Sequence, residues 1–182
     1  MAAKLFQIWN GASVTTVAPA PVATGTSVKT MIQVATSANK ELRLAEFWGD
    51  ESRAHKGVGI PGFPNLFCLA GPNTGLVAIG SQTFMCECAI NYVAECLRHL
   101  FVTGAAAIEP TQEAYRLYVK WIEEGNRGMA WAAVPEQSWY RNASGTNTVV
   151  WPYPLLTYYE LTRRVDEDEM VVTYPASQEM PV

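Results

Sequence analysis

The sequence predicts an α+β fold, in which a β-rich N-terminal segment precedes a strand, a loop, a long helix, a second helix and an irregular aromatic C-terminal tail. Three observations predict it. Short apolar runs typical of strands fill residues 1–48. Apolar residues then recur at helical spacing over Ser81–Val102. Finally, the stretch Trp131–Tyr153 holds three of the six tryptophans together with turn-forming residues.

The composition excludes several classes of function. The 182 residues are 49% hydrophobic and 16% charged, which is typical of a folded globular chain. The length suits one domain, or one domain and part of a second. The formal net charge of -4 lacks the basic excess that neutralises phosphates, so we expect no nucleic-acid partner. No apolar run approaches the roughly 18 residues of a membrane span, and no secretory signal is evident. We therefore expect no membrane span and a cytoplasmic chain with its four cysteines reduced.

Three candidate strands lie in the N-terminal segment. They are Lys4–Trp9, Ser27–Thr36 and Glu41–Trp48, and the helix-breaking run Ala18–Pro21 separates the first two. In the third, leucines alternate with charged residues, as expected for a strand with one buried face. The segment carries no group suited to catalysis, and it is faintly similar to the openings of small β-rich phage structural proteins.

A change of composition predicts the domain boundary. Asp50, Glu51, Arg53 and His55 follow in quick succession at this point of the chain. We therefore divide the chain into a β-rich segment 1–48, a junction 49–56 and a segment 57–182.

The glycine pattern Gly57-x-Gly59-x-x-Gly62 is not expected to bind a dinucleotide. A dinucleotide fingerprint must follow a buried strand and open a helix, whereas here the preceding residues are charged. Pro61 and Pro64 also prevent a helix from continuing.

A strand, a loop and a helix are predicted next. The apolar run Leu66–Ala70 is bounded by turn residues and suits a buried strand, and Gly71–Gly80 is a glycine-containing loop. The helix Ser81–Val102 follows, with Gly104 as its C-terminal stop. Its apolar stripe consists of two rows of residues four apart: Phe84, Cys88, Tyr92, Cys96, Leu100 and Met85, Ala89, Val93, Leu97, Phe101. Such a unit can bind an anion at the start of the helix, but an ordinary strand-to-helix turn explains it equally well.

A second helix is predicted from near Pro110 to about Glu124, before Gly125. Its buried face is expected to comprise Ala114, Leu117, Tyr118, Trp121 and Ile122. The acidic run Asp166–Glu169 is interpreted as a solvated surface. No Ser-His-Asp, zinc-spaced Cys/His or Walker-type arrangement occurs, so no catalytic or metal-binding residue is predicted.

Several separated motifs resemble one enzyme family. They are Pro61-Gly62-Phe63-Pro64-Asn65-Leu66-Phe67, Gly71-Pro72-Asn73-Thr74-Gly75, Ser138-Trp139-Tyr140, Asn147-Thr148, Trp151-Pro152 and Thr162-Arg163-Arg164. In order and spacing they resemble the C-terminal end of flavin-dependent Baeyer–Villiger-type monooxygenases, within the wider group of flavin-containing monooxygenases. The resemblance covers about residues 57–172.

The resemblance implies FAD and NADPH as cofactors and oxygen insertion into ketones as the activity. In the family, the strand and loop that match Leu66–Gly75 lie at the last strand of the flavin domain, and the following helix presents its N-terminus to the pyrimidine end of the flavin. Carried over by position, Asn73, Thr74, Gly75 and, more weakly, Leu76 are the expected cofactor-binding residues. Trp139 and Tyr140 are expected to be packing anchors.

The sequence also departs from the family. Both glycine fingerprints, the family's histidine motif and its catalytic arginine are missing, and Arg53 and His55 stand in no matching context. We therefore expect a fragment-like relative that binds neither cofactor by itself and that needs a flavin-domain partner. The alternative is a non-catalytic structural protein that self-associates, possibly phage-like.

Overall fold

The computed structural model describes residues 6–7, 33–35, 41–77, 80–133 and 140–175. These residues form four α-helices, two 3₁₀ turns and six short strands paired two by two, so the architecture is α+β, as predicted. The strands are β1 (Phe6–Gln7), β2 (Gln33–Ala35), β3 (Glu41–Arg43), β4 (Leu66–Phe67), β5 (Ala107–Pro110) and β6 (Met170–Thr173). The helices are α1 (Leu44–Trp48), α2 (Gln82–Thr103), α3 (Gln112–Arg127) and α4 (Leu155–Thr162). The remainder of the candidate strands Lys4–Trp9 and Ser27–Thr36, and the run Ala18–Pro21, lie outside the described residues.

The predicted strand Glu41–Trp48 is wrong in its second half. β3 pairs antiparallel with β2, but α1 begins directly at Leu44. The helix places Leu44, Phe47 and Trp48 on one face, at positions i, i+3 and i+4, where all three contribute to one hydrophobic cluster. Gly49 ends it in the left-handed conformation, with φ 51° and its N–H donating to Ala45 O. Packing of this face outweighs the short alternation that predicted a strand.

The junction 49–56 contains buried residues rather than a solvated linker. Its last four residues, Arg53, Ala54, His55 and Lys56, are all buried, and Arg53 and Lys56 form ion pairs, whereas Asp50 and Glu51 are exposed. Domain limits at this position stay a prediction.

The glycine pattern forms a tight turn. His55 N donates to Gly59 O, and Gly57 inside the turn has φ 68°. A Cβ on Gly57 would lie 2.2 Å from Thr74 Cγ2, so glycine is needed for the turn to pack against the loop. Turns follow Gly62 in place of a helix, as its prolines predicted.

The predicted strand Leu66–Ala70 is shorter in the structure. Only Leu66 and Phe67 form β4, which pairs antiparallel with β1. Cys68 continues the buried run and donates its N–H to Val58 O, but Ala70 is exposed with φ 55°. This left-handed residue ends the extended segment and begins the loop.

The long helix is confirmed as α2. Ser81 caps its start by accepting the N–H of Phe84, and Gly104 ends it with φ 69° and an N–H bond to Leu100 O. The buried residues are Met85, Cys88, Ala89, Tyr92, Cys96 and Leu100, which follow the predicted stripe. Phe101 departs from the stripe, because its side chain is 81% exposed.

The second helix begins later and ends later than predicted. Pro110 ends β5, Thr111 caps α3, and the helix continues through Gly125, where Tyr153 and Pro152 pack so closely that a Cβ would lie 2.5 Å from Tyr153 Cζ. The predicted buried face is wrong at Leu117, which is 55% exposed.

The C-terminal tail is more regular than predicted. α4 packs against α2 and buries Tyr158 and Thr162, while β6 pairs antiparallel with β5. Aromatic side chains fill the space between α3 and α4, including a stacked pair, Trp121 and Tyr153, with centroids 4.0 Å apart. Tyr140 is half-buried, and Trp139 lies outside the described residues.

Candidate functional site

The loop Gly71–Leu76 is held against a second loop, residues 147–151. Asn73 N donates to Thr148 O, Gly75 N donates to Val149 O, and Trp151 N returns a bond to Gly75 O. Gly75 and Val150 thereby form a parallel bridge. Two of the sequence motifs, Gly71–Gly75 and Asn147–Thr148, thus meet in space although they lie far apart in the chain.

The side chain of Asn73 joins these two loops. Its Nδ2 donates to Asn147 O at 3.0 Å and to Val150 O at 3.2 Å. Asn73 is 3% exposed and has φ 56°, a left-handed conformation that asparagine tolerates better than most residues. On the facing loop, Asn147 Oδ1 accepts the N–H groups of Val149 and Val150. The two asparagines therefore organise both loops.

The four predicted cofactor-binding residues lie together but differ in exposure. Thr74 is buried, and its Oγ1 donates to Gly71 O at 2.8 Å. Gly75 is half-buried, and a Cβ there would lie 2.8 Å from Val149 O. Leu76 is half-buried and packs against the aromatic cluster. The side chains of Asn73 and Thr74 are used inside the protein, so this loop presents mainly backbone and Leu76 to its surroundings.

The start of α2 follows this loop directly. Gln82 Nε2 donates to Thr74 O at 3.1 Å, which ties the first helical turn to the loop. Ser81 and Thr83 are exposed. Amide groups of a first helical turn have no partner within the helix, and the helix dipole places positive charge there. The loop therefore orients a helix start that suits a negatively charged group.

A buried ion cluster connects the glycine turn to the C-terminal tail. Glu169 Oε2 lies 2.6 Å from Lys56 Nζ and 3.3 Å from His55 Nε2. Lys56 Nζ also lies 4.9 Å from the centre of the Tyr92 ring, and Tyr158 Oη donates to Lys56 O. The interpretation of Asp166–Glu169 as a solvated run is therefore wrong for Glu169, although the first three acidic residues are exposed. Sequence reasoning missed this cluster because its members carry no shared motif.

Charge and burial perturb the acid–base properties of the cluster. The hydrogen bond with His55 and the contact with Lys56 lower the pKa of Glu169 to about 2, although burial acts in the opposite direction. Burial lowers the pKa of His55, with the Lys56 charge adding to the effect and the Glu169 carboxylate opposing it. We assign a neutral ring that donates Nε2–H to Glu169. His55 Nδ1 and Tyr118 Oη are buried without a hydrogen-bond partner among the described residues.

The remaining features limit the chemistry available in the described residues. No group of three or more His, Cys, Asp or Glu side chains there could hold a metal ion. Within the same ranges, no helix combines the length and apolar character needed to cross a membrane. All four cysteines lie within the described residues and are free thiols: Cys68, Cys86, Cys88 and Cys96.

Comparison with known proteins identifies relatives of most of the chain. No family model matches it. A Baeyer–Villiger monooxygenase of Streptomyces coelicolor is 40% identical over 134 residues, which cover 73% of this chain and 26% of that protein. A Baeyer–Villiger monooxygenase of Pseudomonas aeruginosa is 35% identical over 127 residues, 68% of this chain and 23% of that protein.

Solved structures agree with these relatives. An oxidised steroid monooxygenase bound to NADP superposes with a TM-score of 0.64 and 25% identity, over 79% of this chain and 26% of that one. OTEMO in complex with FAD and NADP superposes with a TM-score of 0.60 over 78% of this chain and 26% of its own, and at 18% identity it shows the fold alone. The chain spans about a quarter of the length of these relatives. Its homologues are thus Baeyer–Villiger monooxygenases, over about 70% of this chain and a small part of theirs.

Proposed function

We propose that this chain forms one wall of the flavin site in a Baeyer–Villiger-type monooxygenase that uses FAD and NADPH to insert oxygen into ketones. The observation that carries the proposal is the 40% identity to a Baeyer–Villiger monooxygenase over 134 residues. At this identity the two proteins share sequence as well as fold. The match covers 26% of that relative, so the rest of the flavin site corresponds to residues outside the matched segment.

Within this wall, Asn73, Thr74, Gly75 and Leu76 line the flavin edge as a shaped loop. The hydrogen bonds of the buried Asn73 and Thr74 side chains fix the conformation of the loop. The hydrogen bond from Gln82 to Thr74 O fixes the start of α2 relative to the loop. The exposed Ser81 and Thr83 and the positive end of the helix dipole fit the pyrimidine end of a flavin, which becomes negatively charged on reduction. The residues present therefore fit the cofactor that the relatives imply.

The chain's own contribution is positioning and electrostatic stabilisation. Bound FAD would supply the redox chemistry, accepting hydride from NADPH and activating oxygen. The helix start would stabilise negative charge, and the half-buried Leu76 would help to exclude water from that edge. No described residue is assigned a catalytic role, and the chain alone is expected to bind neither cofactor tightly.

Reconstitution tests this function. The purified chain is mixed with a version of the Streptomyces coelicolor relative from which the matching 134-residue segment has been deleted. We expect flavin absorbance to remain with the mixed proteins after gel filtration, and NADPH oxidation with a ketone substrate only in the mixture. Absence of flavin retention and of NADPH oxidation in the mixture would reject the proposal.

Two matched variants test the role of the helix start. Thr83→Glu places a carboxylate beside the proposed flavin edge, whereas Thr103→Glu places one at the opposite end of the same helix; both positions are exposed. A negative charge stabilises the start of a helix and destabilises its end, so the first variant should fold at least as well as the second. We expect Thr83→Glu nevertheless to be the one that lowers the flavin midpoint potential and slows NADPH oxidation. Equal effects of the two variants would argue against flavin contact at this helix start.

The second candidate function is a non-catalytic protein that self-associates. The observation that favours it is the pair Phe101 and Val102, which are 81% and 73% exposed at the end of α2. Multi-angle light scattering of the chain alone tests this function. A discrete oligomer that Phe101→Ser converts to monomer, without flavin retention in the reconstitution, would support it, and a monomer that acquires flavin in the mixture would reject it.

A further inference from the structure

A surface cavity of about 270 Å³ lies at the end of α3, and its lining includes Asn147, whose carbonyl accepts a hydrogen bond from Asn73. Its walls are the last turn of α3, the 3₁₀ turn Ala130–Ala133 and the turn that contains Arg141 and Asn147. The first two are almost adjacent in the chain, and the third lies further along it. The volume is enough for a small ligand of several non-hydrogen atoms.

One buried side chain joins the three walls. Asn126 is 6% exposed; its Nδ2 donates to Ile122 O and Val150 O, and its Oδ1 accepts from Trp131 Nε1 at 2.7 Å. Asn147 Nδ2 approaches the same oxygen at 3.4 Å. Because Asn126 forms hydrogen bonds with all three walls, it fixes their positions relative to one another.

The charge on the walls is positive. Arg127 and Arg141 line the cavity, and Arg141 uses one donor on Ala132 O, which leaves most of its five N–H groups for other partners. Glu123 is the acidic lining residue, and Arg53 neutralises it at 2.9 Å. Glu51 lies nearby but is not part of the lining, and its Oε1 accepts from Ser144 and Thr146.

We propose that this cavity binds a small anion through Arg127 and Arg141, with the indole of Trp131 as a flat wall beside it. Guanidinium groups bind carboxylate and phosphate oxygens through paired hydrogen bonds, and both anions share this chemistry. A half-buried indole additionally favours a planar ligand. Asn147 connects this site to the loop of Asn73, but Arg127 and Arg141 are not among the residues assigned to the flavin edge, so anion binding here can be tested separately from the proposed oxygenase function.

Titration of the ¹⁵N-labelled full chain tests the site. Inorganic phosphate and benzoate are the two probes, and sodium chloride at matched ionic strength is the reference. We expect saturable shifts of the Trp131 indole N–H and of the Asn126 and Asn147 side-chain amides. Saturation by benzoate alone identifies a planar carboxylate ligand, and saturation by phosphate identifies a phosphate ligand.

The variant Arg127→Gln should weaken binding of the active probe by about tenfold or more, because a charge-assisted hydrogen bond is lost. Arg116→Gln, an exposed position on the same helix, is the control and should change it less than about twofold. Arg127 is itself exposed, so its variant is expected to fold. Shifts that stay linear and equal to those in sodium chloride, or equal affinities for the two variants, would overturn the proposal.

Discussion

Replacing Glu169 by glutamine tests the buried ion cluster most directly. The amide retains the size of the side chain but removes the charge that lies 2.6 Å from Lys56 Nζ. The Lys56 side chain is only 4% exposed. It would keep the Tyr92 ring face as a neighbour, 4.9 Å from Nζ, but no longer a paired carboxylate. An uncompensated buried charge of this kind destabilises a folded protein.

The lowered pKa of Glu169 provides the magnitude. One pKa unit equals about 1.4 kcal/mol, so lowering the pKa from an ordinary carboxylate value to about 2 corresponds to roughly 3 kcal/mol of folding free energy. The Glu169 side chain is 33% exposed and partly screened by water, so we expect Glu169→Gln to reduce the free energy of unfolding by about 2 kcal/mol at pH 7. Because the folded-state pKa is lowered, this contribution is present above about pH 5 and is lost as the pH falls towards 2.

Urea unfolding followed by far-ultraviolet circular dichroism, at pH 7 and at pH 3, measures this difference. Asp168→Asn is the matched control, since Asp168 is adjacent and exposed, and its effect should stay within about 0.5 kcal/mol. A double variant, Lys56→Met with Glu169→Leu, removes both charges and should be less destabilised than Glu169→Gln. Equal free energies of unfolding for Glu169→Gln and Asp168→Asn at pH 7 would refute the reasoning.

Three further predictions concern single side chains. Because burial lowers the pKa of His55, the stability that its neutral ring contributes is present above about pH 6.5 and is lost below it. His55→Gln should therefore reduce the fall of the urea midpoint between pH 7.5 and pH 5.5, and the same fall in the variant as in the unchanged protein would contradict this. Gly57→Ala should cost more than about 2 kcal/mol, whereas Gly104→Ala, with a similar φ but open space around it, should cost about 1 kcal/mol; equal melting temperatures would contradict the proposed crowding. Thiol labelling at pH 8 should reach the half-buried Cys86 before Cys68, whose pKa burial raises to about 11; mass spectrometry of time points gives the order, and the reverse order would be inconsistent with the structure.

Sequence reasoning succeeded where structure depends on local interactions. The helix α2 could be predicted because its capping serine, its apolar stripe and its terminal Gly104 all lie within one stretch of chain. The same reasoning failed for residues 44–48, since a helix and a strand explain so short an apolar pattern equally well. It also missed β5 and β6, whose pairing joins segments from opposite sides of α3.

At the candidate flavin edge too, the sequence indicated one feature and not another. The motif Gly71–Gly75 indicated the relatives from the sequence alone, and homologous Baeyer–Villiger monooxygenases support that indication. The sequence did not indicate that Asn73 would turn its amide inward to Asn147 O and Val150 O. That orientation depends on a loop 74 residues further along the chain.

By itself, the sequence determined the group of relatives, the α+β class and the long helix, because motifs, composition and helical periodicity are properties of neighbouring residues. Only the tertiary structure decided which polar residues are internal. In the sequence, His55, Lys56 and Glu169 stand among other charged residues. In the structure, His55 and Lys56 are buried and pair with the half-buried Glu169, 114 positions away from His55. The physical reason is that burial and ion pairing depend on contacts between distant segments, and those contacts exist only after the chain has folded.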